Sequence, residues 1–155
     1  MATGHMLTNR GKLFLLQGKW DSLGSTLVRV GLVASQPTGV DTATEVADLN
    51  TVADLLVTAG ATECTFTNYT RQNLSRTNAA EDDANDRINI DAADVVWSNA
   101  GGAANDTIYG AFIYSAETDT SDSTRELLSI DWFATPLPTN GGDFTYAISD
   151  LYRAS

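Results

Sequence analysis

Apolar residues in this chain come in short runs. Residues 26–34, 63–70, 87–91, 94–98, 107–114, 126–133 and 144–148 are rich in β-branched and aromatic side chains, and several alternate apolar with polar. Between them lie turn-forming stretches, among them residues 35–39, 99–102, 118–123 and 139–143. Runs of this kind read as strands, and about seven strands parted by such turns predict a mainly β fold, a β-sandwich or jelly roll. Residues 26–34 are apolar on both faces, with Val28, Val30 and Leu32 on one side and Leu27, Gly31 and Val33 with Arg29 on the other, so a central strand is expected there.

Two segments have helical character. In residues 8–17, Thr8 or Asn9 can cap the N-terminus, Leu13, Phe14 and Leu16 form an apolar side, and Gly18 is the stop. In residues 46–56, Leu49, Val52, Leu55 and Leu56 recur at three- and four-residue steps before Gly60. The expected fold is therefore mainly β with one or two short helices near the N-terminus. Neither an internal repeat nor a low-complexity linker divides the chain, so residues 7–155 are expected to form one domain. Residues 1–6 read as a cloning scar and are set outside it.

Charge narrows the function classes. Twenty acidic residues against nine basic ones give a net charge of −11 over 155 residues. A field of that sign repels phosphate and anionic lipid, so neither nucleic acid nor a membrane surface is an expected partner. The best apolar run, Leu13 to Leu16, is far below a membrane span, and no signal peptide is expected after Met1. The single Cys64 cannot form an intramolecular disulfide; a small buried hydrophobe is its expected role, consistent with synthesis in a reducing cytosol.

Candidate chemistry is sparse. The one histidine, His5, falls inside the segment set aside, which removes the commonest general base and metal ligand from the remainder. Glu63, Asp91 and Asp94 are available for two-carboxylate chemistry, but nothing singles out a pair, and no enzyme is expected. Two acidic loops, residues 81–86 and 117–122, offer Asp82, Asp83, Asp86, Asp119 and Asp122 as oxygen donors for Ca2+. Neither follows the EF-hand order, and solvated acidic loops without a metal or cofactor are the favoured reading. Asn68, Asn73 and Asn105 are formal glycosylation sequons. Trp20, Trp97 and Trp132 are expected to fill the core, with a subunit interface as the alternative.

Several segments together resemble a diffuse group of virion proteins of tailed bacteriophages, the decoration, cement and minor structural proteins. They are the opening Leu7-Thr8-Asn9-Arg10-Gly11-Lys12, the strand Val28-Arg29-Val30-Gly31-Leu32-Val33, Asn68-Tyr69-Thr70-Arg71-Gln72-Asn73-Leu74, Asp91-Ala92-Ala93-Asp94-Val95-Val96-Trp97, Gly110-Ala111-Phe112-Ile113-Tyr114 and the ending Thr139-Asn140-Gly141-Gly142-Asp143-Phe144-Thr145-Tyr146. Asn68 stands where the group usually has Gly. The order of these segments spans nearly the whole chain, and none is catalytic. The resemblance implies a β-sandwich that assembles on a virion after synthesis in the host bacterial cytoplasm. It also implies the major capsid protein or other virion subunits as partners, and a homo-oligomer, dimer or trimer. A tail- or fibre-associated protein with a carbohydrate- or receptor-binding face is the alternative. Leu7, Leu13, Phe14 and Trp20 are the first candidates for an intersubunit contact; the competing expectation is that they close the sandwich.

Overall fold

The computed structural model describes residues 4–117, 121–148 and 151–154. The chain is built on a five-stranded antiparallel sheet, in the order β1 (Gly4–Leu7), β8 (Glu126–Pro138), β7 (Thr107–Ser115), β2 (Val28–Val33), β3 (Gln72–Asn73). β7 is its spine, pairing with β8 from Thr107↔Pro138 to Ser115↔Glu126 and with β2 from Val33↔Gly110 to Val28↔Ser115. The register of β7 and β8 shifts between Ile113 and Tyr114. That bulge leaves Leu128 without an opposite residue, so Leu128 and Ser129 both turn to the same face.

Both faces of this sheet are covered. Val28, Val30, Leu32, Ala111, Ile113 and Leu128 join one apolar cluster; Val33, Phe112, Tyr114, Leu127, Ile130 and Trp132 join the other. The first face is roofed by α1 (Asn9–Leu16), α2 (Lys19–Ser22) and two small sheets. One orders β10 (Tyr152–Ala154), β5 (Arg87–Ile90) and β4 (Ala80–Asp82); the other pairs β6 (Val95–Trp97) with β9 (Phe144–Tyr146). The second face is closed by α3 (Ala43–Ala47) and a π-helical turn (Asp54–Thr58), through Val40, Val46, Val52 and Leu55. Among the described residues no helix is long and apolar enough to cross a membrane.

The mainly β composition with short helices towards the N-terminus matches the sequence reading, but the layer over the first face is split into sheets of three and two strands. Residues 4–6 of the segment set aside as a scar lie within the fold, and residues 1–3 lie outside the described ones. Gly4–Leu7 is the edge strand of the large sheet, and Met6, opposite Ile130, is buried. The helix expected over 46–56 breaks after Ala47, because the chain there is captured by β8. Leu127 N–H donates to Asn50 O, Val52 N–H donates to Arg125 O, and the Asp54 carboxylate takes the Asn50 and Thr51 N–H groups at 2.8 Å each. The strand expected over 63–70 shrinks to a single bridge, Val33↔Glu63. It ends at the left-handed Asn68 (φ 71°), although Cys64 and Phe66 are both buried as the alternation implied.

α1 starts where expected. Thr8 caps it by accepting from Gly11 N–H at 2.9 Å and anchors it by donating to Leu127 O at 2.5 Å. Gly11 lies directly against the Leu128 carbonyl, and Gly110 lies against Asp131 O and the Trp132 ring, so a Cβ at either position meets backbone. Gly11→Ala and Gly110→Ala should each cost about 1–3 kcal/mol through overpacking. The measurement is a lowered urea midpoint at unchanged slope; a midpoint unchanged in both variants would contradict this packing.

Candidate functional site

In a chain so short of cations, the cations decide which carboxylates are held. Arg71, just past the Asn68 turn, forks onto two of them. Its Nε and Nη2 reach Glu63 at 2.7 Å each, and its Nη1 and Nη2 reach Asp122 at 2.6 and 2.8 Å. The guanidinium lies over the rings of Phe112 and Tyr114, 5.3 and 5.2 Å from their centroids. Arg125 adds a bond to Asp122 at 2.8 Å, and Tyr69 donates its hydroxyl to Glu63 at 2.8 Å. Burial opposes the charge on Arg71, but the bonds to Glu63 and Asp122 outweigh it and hold its pKa above the ordinary value. The same bond from Arg71 holds the Asp122 carboxyl below its ordinary value.

Both oxygens of Asp122, one of the candidate calcium donors, are engaged by arginine. Asp82 is likewise engaged, by Asn85 Nδ2 at 2.9 Å and Arg87 Nε at 2.7 Å. Asp83 and Asp86 are exposed, and Asp119 lies outside the described residues. Among the described residues no group of three or more His, Cys, Asp or Glu is arranged to hold a metal ion. Of the two-carboxylate candidates, Glu63 stands apart from the other two. Glu63 sits with Arg71 on the second face, whereas Asp94 accepts from Ile148 N–H at 2.7 Å and Asp91 from Ala92 N–H at 2.8 Å, both on the first-face side.

A second cluster was invisible while His5 stood outside the fold. β1 sets His5 opposite Asp131, beneath the small sheets. Tyr146 donates its hydroxyl to Asp131 Oδ2 at 3.1 Å and lies 3.3 Å from His5 Nδ1, which is 3.8 Å from Asp131. Tyr152 closes the group by donating to Ser129 at 2.5 Å. Burial lowers the His5 pKa against the opposing pull of Asp131 and Asp91, and burial raises that of Tyr146. Two recesses lie elsewhere, one lined by Gln36, Pro37, Thr38 and Asp41, the other around Trp20 and Arg76. The cluster ties the β1 edge to the roof, with the His5 and Asp131 side chains still 15% and 16% exposed.

The expected contact residues divide. Phe14 and Trp20 are buried in their own chain, 2% and 3% exposed, so they close the core and are not surface contacts. Trp20 is locked there by Arg76, which stacks on the indole and bonds the Trp20 and Leu23 carbonyls at the end of α2. Leu7 is half-buried against the first cluster. Leu13 is exposed, and so is Leu16, which the sequence reading had counted toward the packed side; the two are 43% and 86% exposed. Their three-residue spacing, on the side of the helix away from Gly11 and Phe14, was the signal available.

Comparison of the chain with protein-family models, with curated proteins and with solved structures returns no match in any of the three.

Arg71→Met should cost about 2–3 kcal/mol, less than the roughly 3–5 of a fully buried pair because the network is partly exposed. Asp122 binds its proton more weakly folded than unfolded, so its share is fully present above about pH 4 and vanishes as pH falls through the folded value. The gap between wild type and Arg71→Met in denaturant should narrow accordingly in acid; a gap constant with pH would contradict the assignment. For His5 the neutral form is favoured, so stability should decline as pH drops below about 6.5. His5→Gln should flatten that limb.

Proposed function

We propose that this chain is a bacteriophage virion structural protein, a capsid decoration or cement protein that binds and stabilises the assembled head. In this reading the large sheet and its two-part roof are a sandwich-like variant, the chain works as a homo-oligomer, and it catalyses nothing. The observation that carries the reading is the exposed apolar pair Leu13 and Leu16 on α1, on a chain of net charge −11 whose strongest ionic groups are closed among themselves. Such a surface supports attachment to protein by shape and apolar area, with affinity multiplied by repetition across an oligomer. The resemblance of the ordered segments to virion accessory proteins supports the same reading.

The alternative, a tail- or fibre-associated protein with a carbohydrate-binding face, has one supporting observation. Phe133 and Phe144 are half-buried, their rings 6.2 Å apart and tilted by 38°, beside exposed Asp143. A glycan array should detect binding if that row is a platform, and Phe144→Ala should then abolish it.

The primary test is co-sedimentation of the purified chain with undecorated heads and with unassembled capsid subunits. Binding to heads alone is expected. Failure to bind heads, or equal binding to free subunits, would reject the decoration reading.

A further inference from the structure

The first twenty residues hold Arg10, Lys12 and Lys19 and no acid; the first two stand on α1 and the third on α2. Arg10 and Lys19 are occupied by Glu126 and Glu117. Lys12 makes no ion pair among the described residues and is exposed one helical turn from Leu16. α1 thus presents a stripe of Lys12, Leu13 and Leu16: a free cation beside two bare leucines.

The complementary stripe is on the same molecule. In the β4–β5 hairpin Ile88 is 44% exposed, and its cross-strand partner is Glu81. Cross-strand partners share a face, so an apolar side chain and a carboxylate stand side by side. Asp83, in the adjoining turn, is exposed, and neither Glu81 nor Asp83 makes an ion pair among the described residues. β4 is also the outer strand of its sheet.

We infer that the α1 stripe of one copy docks on the β4–β5 hairpin of a second copy, leucines against Ile88 and Lys12 against Glu81 and Asp83. The two patches differ, so the contact is head-to-tail and generates a ring when its rotation closes. This inference rests on the reading of the protein as an oligomeric subunit and names the partner of its exposed apolar helix. Its readout is solution size, which is independent of whether the chain binds phage heads.

The test is sedimentation velocity of the full chain across a concentration series. Self-association is expected, weakening from about 0.1 M to 1 M salt as the Debye length falls from ~10 to ~3 Å. Lys12→Glu should weaken it at least tenfold. Adding Glu81→Lys and Asp83→Lys to that variant should restore it, because the signs are exchanged across the contact. In a mixture of Leu16→Cys and Asp83→Cys chains, disulfides should form between unlike chains; Cys64, 1% exposed, does not compete. A monomer at every concentration, an oligomer indifferent to Lys12→Glu, or cross-links only between like chains would each overturn the inference.

Discussion

Burial of both faces of the β2–β7–β8 ladder is the constraint from which the remaining structure follows. An antiparallel sheet commonly keeps one face in water. Here Ile113 and Phe112, adjacent on β7, lie in opposite apolar clusters and are both 1% exposed or less. Each face therefore needs a cover, and the rest of the chain is spent on two of them. The covers are mostly short elements that could not hold a shape alone. The three tryptophans secure them by the same device, a buried indole donating to a backbone carbonyl distant in sequence. Trp20 bonds Thr77 O and Trp97 bonds Thr70 O at 2.8 Å each, and Trp132 bonds Val40 O at 2.5 Å. Each ring supplies apolar area while its N–H satisfies an irregular loop.

Scarcity of cations shapes the surface in a related way. Arg71, Arg76, Arg87 and Arg125 are drawn inward to join segments: two loops over Phe112 and Tyr114, the end of α2, and the β4–β5 hairpin. What remains outside is largely acidic, a charge that favours solubility and sets off the places where exposed apolar groups and a cation coincide. α1 is such a place. Its inner side is fixed by Thr8 and by the close approach of Gly11 to β8, so its outer side is presented rigidly.

How far the site was legible depended on whether its residues are local. The acidic loops could be found by eye, but their neutralisation could not. Asp122 meets Arg71 across 51 residues, and no spacing rule links them. Phe14 and Leu16 are two positions apart on one apolar run, and helical geometry sets them on different sides; which side is buried is decided by where β8 lies against α1. His5 was discounted on its place in the chain, whereas pairing with Asp131 makes it part of the sheet.

Short-range pattern alone determined the mainly β class, the strands that became β2 and β5 to β9, the start of α1 at Thr8 or Asn9 and the shared face of Cys64 and Phe66. These depend on side-chain alternation and backbone preference, which act within a few residues. Tertiary structure decided the rest: the division of the roof into two sheets, the break after Ala47, the capture of residues 4–7 as an edge strand, and which carboxylates are held. Each of those is a hydrogen bond or contact between segments far apart in sequence, whose free energy exists only once the ladder has brought them together.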